Sequence, residues 1–67
     1  MIEVIVNGKR TEIPGGLNVK EAISALEYRQ EGFALALNGT FVALSTYEST
    51  KIHDNDSLEI LAPVQGG

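Results

Sequence analysis

The residues of this sequence with the clearest chemical potential are the last six, 62–67, which read Ala-Pro-Val-Gln-Gly-Gly. Gly66 and Gly67 have no Cβ, so they can lie extended in a channel too narrow for side chains, with both faces of the carboxyl carbon open to attack. The α-carboxyl group has an ordinary pKa of about 3.5 and is an anion at neutral pH. It can attack an activated phosphate, and it becomes an acyl donor once a partner has activated it. The pattern predicts a terminal carboxylate that a partner enzyme activates and modifies. A frayed terminus is the alternative interpretation.

Composition limits the chemistry that the rest of the chain could supply. The 67 residues make one domain near the lower size limit for folding without disulfides or metals. The sequence has no cysteine, which excludes a disulfide, a persulfide-bearing nucleophile and a thiolate metal site. With His53 as its one histidine, we do not expect a metal cage. Nine acidic and five basic residues give a net charge of −4, which disfavours nucleic acid and anionic membranes and favours a partner with a basic face.

The apolar residues of the chain are spread over short runs. No basic segment followed by an apolar one opens the sequence, and no run approaches the roughly 18 residues needed to span a bilayer. We therefore expect a soluble cytoplasmic protein that contacts neither membrane nor nucleic acid.

Two strands joined by a tight turn open the chain. Residues 1–6 alternate in hydrophobicity, with Val4 and Val6 on one face and Ile5 on the other, which is typical of a strand. Asn7-Gly8 favours a two-residue hairpin because both residues tolerate positive φ. Residues 9–13 would return antiparallel, and the following Pro-Gly-Gly would end that strand.

A single helix is predicted to follow. Asn18 is a good N-cap residue, and Glu21 is placed to complete a capping box. Apolar residues then recur at helical spacing at Val19, Ala22, Ile23 and Leu26. We expect this helix to fray over residues 28–30 and to end at Gly32 in the left-handed conformation.

The rest of the chain predicts three more strands, which occupy residues 33–37, 40–42 and 57–61. Asn38-Gly39 provides a second turn of the kind seen at Asn7-Gly8. Residues 43–50 lack a clean period and predict a loop with at most one helical turn, in which Tyr47 is half-buried.

This order of elements predicts an α+β domain over residues 1–61, followed by an extended C-terminal tail over residues 62–67. The sheet would be mixed, with four to five strands and one helix packed across one face, which is the β-grasp arrangement of ubiquitin. The first and last strands would lie parallel at the centre, joined by a right-handed crossover. A tail of this length can reach about 20 Å.

On these residues the sequence resembles the ThiS family, the ubiquitin-like sulfur carriers of thiamine biosynthesis. The resemblance spans the whole chain, and its most specific part is the C-terminal stretch. The residues that carry it are Val6-Asn7-Gly8, Asn18-Val19, Ala36 to Gly39, Phe41-Val42 and Leu58 to Gly67. The chain departs from the family at Ala43-Leu44, where Pro-Arg is common, and at Asn55, where glycine is common.

The resemblance implies a carrier that partner enzymes act on, with no catalytic residue, no bound cofactor and no metal of its own. An E1-like adenylyltransferase would use ATP to convert the Gly67 carboxylate into an acyl adenylate. A persulfide donor would then supply sulfur for a thiocarboxylate, which thiazole synthase would consume. Gly66, Gln65 and Val64 would lie in the partner's channel.

The sheet face away from the helix is the predicted docking surface. Small and branched apolar side chains on an exposed face are typical of an interface. The residues expected there are Ile5, Ala34, Ala36 and Leu61. Scattered surface apolar residues are the alternative interpretation.

Three other functions compete with the thiamine carrier. The small subunit of molybdopterin synthase shares the fold and the tail, and its members usually run longer. A ubiquitin-like modifier would instead form isopeptide bonds with protein lysines. A free-standing enzyme would have to use His53 with Asp54 or Asp56, although no nucleophile or oxyanion pattern accompanies them.

Overall fold

The computed structural model describes residues 1–28 and 33–61. In that part of the chain five strands form one sheet, and they are β1 (Ile2–Val6), β2 (Lys9–Ile13), β3 (Ala34–Leu37), β4 (Thr40–Phe41) and β5 (Ser57–Leu61). Helix α1 (Val19–Ala25) lies between β2 and β3 in sequence, and a 3-10 helix (Leu44–Thr46) follows β4.

The strand order is β2-β1-β5-β3-β4, so the last strand of the chain is the middle strand of the sheet. β5 pairs parallel to β1 and antiparallel to β3, while β2 and β4 are antiparallel to their inner neighbours. The predicted mixed sheet, with first and last strands parallel at its centre, is confirmed. A parallel pair needs a long crossover, and α1 lies within it.

Both Asn-Gly turns form as the sequence predicts. Asn7 has φ of 50° and Gly8 has φ of 83°, and Asn38 and Gly39 repeat this pattern at 52° and 86°. Two successive residues with positive φ define the turn whose twist matches that of the flanking strands. Asn55, at φ 70°, keeps the left-handed turn in which the family commonly has glycine.

The predicted capping box begins α1. The Asn18 side chain accepts the backbone N–H of Glu21 at 2.8 Å, and the Glu21 carboxylate accepts the backbone N–H of Asn18 at 3.0 Å. These two bonds satisfy amide groups that have no partner within the helix. The buried side chains of α1 are Val19, Ala22 and Ile23, as its apolar stripe predicts.

The end of α1 is where the sequence prediction is wrong. The helix stops at Ala25, and Glu27 takes the left-handed conformation with φ of 65°. The Glu27 N–H donates to the Ser24 carbonyl, and the Tyr28 N–H reaches back to the Ile23 carbonyl at 3.0 Å. This pair of bonds is the Schellman motif, formed here without glycine. Gly32, the predicted terminator, lies outside the described residues.

One apolar core fills the space between α1 and the sheet. Its buried members are Val4, Val6, Ile13, Val19, Ala22, Ile23, Leu35, Tyr47, Ile52, Leu58 and Ile60. Tyr47 is 4% exposed rather than half-buried as predicted, and burial raises the pKa of its phenol. The loop after β4 is therefore anchored in the core by an aromatic ring. Over the described ranges, no buried side-chain nitrogen or oxygen lacks a hydrogen-bond partner.

Leu58→Ala and Leu61→Ala should differ sharply although both lie on β5. Leu58 is 1% exposed and Leu61 is 58% exposed. Truncating a fully buried leucine costs about 2 to 5 kcal/mol, a large share of the stability of a small domain. We expect that loss for Leu58→Ala and a change within about 1 kcal/mol for Leu61→Ala. Urea unfolding followed by circular dichroism measures both, and equal losses would contradict this assignment of faces.

Candidate functional site

The segment predicted to carry the chemistry follows directly on β5. The four site residues predicted within it lie outside the described residues, and they are Val64, Gln65, Gly66 and Gly67. Their roles stay predictions. The structure does describe the base of the segment, because β5 ends at Leu61. The elements that hold β5 therefore set the point at which the C-terminal segment begins.

The end of β5 is held from both sides. On one side β3 pairs with it, with Leu35 opposite Ile60 and Ala34 opposite Leu61. On the other side β1 pairs with it as far as Leu58, where the chain of β1 has reached its turn. The side chain of Asn7 then hydrogen-bonds to the backbone of Ile60. The sequence marked Asn7 as a turn residue and gave no sign of this second role.

The four residues of the predicted docking surface alternate onto the sheet face opposite α1. Their neighbours in sequence, including Val4, Leu35 and Ile60, are buried in the core. Ala34 and Leu61 are exposed and directly paired, and Ile5 is half-buried. Ala36 is only 7% exposed, so it offers little surface to a partner. Its cross-strand neighbours Phe41 and Glu59 carry longer side chains, which explains the burial.

Phe41 is an exposed residue that the predicted docking surface does not include. It lies on β4 opposite Ala36, which places it on the same outer face as Ala34 and Leu61. Its side chain is 70% exposed. The available signal was its position two residues after the Asn38-Gly39 turn, where pairing with β3 fixes its face. We define the outer patch as Ile5, Ala34, Phe41 and Leu61.

Charged side chains of β1, β2 and the central strand β5 lie beside the residues of the outer patch. Glu3 and Glu12 are directly paired on that face, and Glu59 is opposite Ala36. The guanidinium of Arg10 donates to the Glu3 carboxylate. Three carboxylates against one arginine, counting the described residues of this face, leave the border acidic. An apolar patch with an acidic border complements a partner surface that is apolar and basic.

His53, Asp54 and Asp56 do not form a catalytic arrangement. The Asp54 carboxylate accepts the backbone N–H of Glu3 at 2.8 Å, and Asp56 accepts the backbone N–H of His53 at 2.7 Å. The His53 ring nitrogen Nδ1 is 3.9 Å from Asp56, too far for a hydrogen bond, and its side chain is 78% exposed. These carboxylates hold the turn that leads into β5.

Ala43 and Leu44 mark the departure from the family pattern of Pro-Arg. Ala43 precedes the 3-10 helix, and its carbonyl accepts the Thr46 N–H at 2.9 Å and the Thr46 hydroxyl at 2.8 Å. Leu44 is 67% exposed. The position that carries arginine in the family therefore presents an apolar side chain to solvent here.

An open polar groove lies beside α1. It is lined by Asn18, Lys20, Glu21, Ser24 and Glu48. The Lys20 amine donates to the Glu48 carboxylate at 2.8 Å. That hydrogen bond, with the attraction between the two charges, raises the pKa of Lys20 and lowers the pKa of Glu48. Both groups are fully ionised at neutral pH, so neither is suited to exchange protons there.

Within residues 1–28 and 33–61, no group of three or more histidine, cysteine or acidic residues is placed to hold a metal ion. Over the same part of the chain, no helix has the length and hydrophobicity required to cross a bilayer.

The sheet order, the crossover helix and the central last strand define a ubiquitin-like β-grasp domain. The sequence matches the ThiS family over residues 4–67. The chain therefore belongs to the ThiS family, and it is a ubiquitin-like sulfur carrier by that membership.

Solved structures agree with this membership. The crystal structure of a thiamine biosynthesis protein (ThiS) from Geobacter metallireducens is similar with a TM-score of 0.84 at 35% sequence identity, covering 98% of this chain and 100% of that chain. An NMR structure of a thiamine biosynthesis protein from the same organism gives 0.81 at 35% identity, covering 98% and 88%. The uncharacterized protein ycf40 of Porphyra purpurea is 29% identical over 66 residues, which are 98% of this chain and 93% of that protein.

Replacing Lys20 should raise the lowered pKa of Glu48 back towards its ordinary value. The Glu48 carboxylate titrates below its ordinary value of 4.5 in the folded chain, so the pair contributes stability above that pH and loses it as the pH falls through the folded value. Lys20→Met should return the Glu48 pKa to its ordinary range in a carboxyl NMR titration. Lys9→Met, on β2, should leave it lowered. A Glu48 pKa that stays low in Lys20→Met would contradict the ion pair.

Proposed function

We propose that this protein carries sulfur in thiamine biosynthesis, for the thiazole moiety, with the carboxylate of Gly67 as its attachment point. The observation that carries the proposal is the match to the ThiS family over residues 4–67, a range that includes both terminal glycines. Similarity to two solved thiamine biosynthesis proteins supports the same pathway.

In this proposal the chain is a cosubstrate, and partner enzymes in the cytoplasm perform the chemistry. An E1-like adenylyltransferase binds ATP, and an oxygen of the Gly67 carboxylate attacks its α-phosphate. Pyrophosphate leaves and an acyl adenylate remains. The terminal sulfur of a persulfide then displaces AMP and forms a C–S bond to the acyl carbon, which gives an acyl disulfide. A thiol attacks the donor's own sulfur in that acyl disulfide, so the S–S bond breaks, a disulfide forms with the donor and the thiocarboxylate leaves. Thiazole synthase receives that sulfur.

The residues before Gly67 serve this chemistry by being narrow and extended. Gly66 has no side chain to obstruct the approach of a nucleophile to the acyl carbon. Gln65 and Val64 offer backbone N–H and C=O groups that an extended peptide uses in a partner's channel. None of these three residues is catalytic, because none transfers a proton or forms the covalent bond at the acyl carbon of Gly67.

The outer patch is the proposed docking surface for the adenylating enzyme and for thiazole synthase. Leu61 belongs to the patch and is also the last described residue before the C-terminal segment. A partner that covers the patch therefore contacts the base of the segment whose end it must bind. The acidic border formed by Glu3, Glu12 and Glu59 favours a partner with basic residues around an apolar centre.

Shortening the chain by one residue should abolish most of the conversion of its terminal carboxylate to a thiocarboxylate. Deleting Gly67 leaves a chemically equivalent carboxylate about 3.5 Å short of its former reach, and misplacement of that order costs about a hundredfold or more in rate. Gly67→Ala keeps the reach and adds a methyl group beside the reacting carbon. With the adenylating enzyme, ATP and a sulfur source, the wild-type chain should release pyrophosphate and exchange one oxygen for sulfur in its C-terminal peptide, as mass spectrometry measures.

Gly15→Ala is the matched control for this experiment. A Cβ at Gly15 would lie 3.4 Å from Cγ2 of Ile2, and the change leaves the C-terminal segment untouched. It should be thiocarboxylated at the wild-type rate. A shortened chain that reacted as fast as wild type would overturn the proposal. Sulfur donation in a complex with a molybdopterin synthase large subunit, instead of to thiazole synthase, would assign the carrier to the other pathway.

A charge placed on the outer patch should weaken docking without unfolding the domain. Ala34→Arg and Phe41→Arg each put a cation at an exposed position on the sheet. We expect the KM of the adenylating enzyme for either variant to rise about tenfold or more, the loss typical of a central interface residue. Ser24→Arg adds the same charge on the exposed side of α1 and should leave the KM within about twofold. An unchanged KM for both sheet variants would place docking elsewhere.

A further inference from the structure

The side chain of Asn7 makes the same two hydrogen bonds to β5 that a neighbouring strand would make. Its Oδ1 accepts the backbone N–H of Ile60 at 2.7 Å, and its Nδ2 donates to the carbonyl of Ile60 at 3.3 Å. The two residues are 53 positions apart in sequence. A carboxamide has one acceptor oxygen and a donor nitrogen, so it can replace a peptide group in a sheet.

This substitution is needed because β1 turns away before β5 ends. The two strands pair as far as Val6 and Leu58, while β5 continues to Leu61. The backbone N–H of Ile5 donates to Asp56 and that of Asn7 donates to Leu58, each at 2.9 Å. The next partner of β5 on this side would have to come from two residues further along β1. The chain has already turned away there, since Asn7 has φ of 50°. The Asn7 side chain therefore takes the place of the β1 backbone opposite Ile60 and extends the parallel ladder to that residue.

Asparagine meets both demands of the position. It tolerates the left-handed backbone conformation that the turn requires, as glycine also does. Glycine, however, has no side chain to pair with Ile60. Aspartate lacks the donor and would set a negative charge against the Ile60 carbonyl. The turn alone would accept either asparagine or glycine, and the bonds to Ile60 distinguish them.

The second Asn-Gly turn holds the opposite end of β5 in the same manner. The Oδ1 of Asn38 accepts the backbone N–H of Ser57 at 2.9 Å, and its Nδ2 donates to the Asp56 carboxylate at 3.0 Å. Asn38 has φ of 52°, close to the value at Asn7. The central strand is thus fixed at its start by Asn38 and at its end by Asn7. Asn7 is the one of the two that holds the end of β5 from which the C-terminal segment continues.

We propose that Asn7 is a positioning residue for the carrier reaction, which fixes Ile60 and thereby the base of the segment that ends in Gly67. The proposal rests on the proposed function. A loosened base would let the Gly67 carboxylate sample positions away from the attacking or attacked atom, and an error of about 1 Å in such geometry can cost a hundredfold in rate. Asn7 does not belong to the outer patch. Removing its side chain should therefore lower the reaction rate and leave docking unchanged.

Asn7→Gly tests the proposal, and Asn38→Gly is its matched control. Both substitutions suit the left-handed turn, and both remove two side-chain hydrogen bonds at one end of β5. In the isolated chain, amide hydrogen exchange by NMR should accelerate about tenfold at Ile60 in Asn7→Gly. In Asn38→Gly the amide of Ser57 should exchange faster instead, and the exchange rate of Ile60 should stay as in wild type. Unchanged exchange at Ile60 in Asn7→Gly would overturn the proposal.

The second measurement is the steady-state release of pyrophosphate with the adenylating enzyme and ATP, at a temperature where all chains are folded. Asn7→Gly should lower kcat about tenfold and leave KM within about twofold, while Asn38→Gly leaves both within about twofold. An equal loss of kcat in both variants would show general destabilisation and overturn the positioning role. If wild type released no pyrophosphate, the carrier function and the positioning role would fail together. The exchange experiment would still decide whether Asn7 holds Ile60.

Discussion

The hydrogen-bonded ladder that places β5 in the middle of the sheet is the constraint on which the rest of this structure depends. β5 pairs parallel with β1 at two positions, the second of which joins Val6 and Leu58, and antiparallel with β3 at four successive positions. A central strand is fixed from both sides, so its backbone has little freedom to shift. The last strand that the structure describes is therefore also the base from which the C-terminal segment continues.

The same placement divides the side chains of β5 between two tasks. Leu58 and Ile60 are buried against α1 and contribute to the one apolar core. Glu59 and Leu61 alternate onto the opposite face, where Leu61 is exposed beside Ala34. Because strand side chains alternate, the packing that stabilises the domain and the surface available to a partner are set by a single register. A slip of one residue would exchange them.

Two Asn-Gly turns connect the strands and also support the central one. A turn residue is usually understood through its backbone conformation, which Asn7 and Asn38 both satisfy. In this fold the carboxamides of both residues reach β5 as well, because the turns lie beside its two ends. In a domain with so small a core, these side chains take the place of strand backbone at the two ends of β5.

The sequence by itself determined the local features. The alternation in residues 1–6 and 57–61, the capping box at Asn18 and the two Asn-Gly turns all depend on neighbours within a few positions, and the structure confirms each of them. The family signature at the C-terminus also belongs to the sequence alone.

Only the tertiary structure decided the features that depend on distant residues. Tyr47 is buried in a loop whose backbone accepts hydrogen bonds from the first residues of α1, and Ala36 is buried because larger side chains flank it on the neighbouring strands. The early end of α1 is a local exception, because a Schellman motif forms at Glu27 without the glycine that sequence rules expect. The bond between Asn7 and Ile60 exists because β1 and β5 become neighbours. Short-range periodicity carries no information about which strand lies beside which, and the contacts that fix the base of the C-terminal segment arise from that choice.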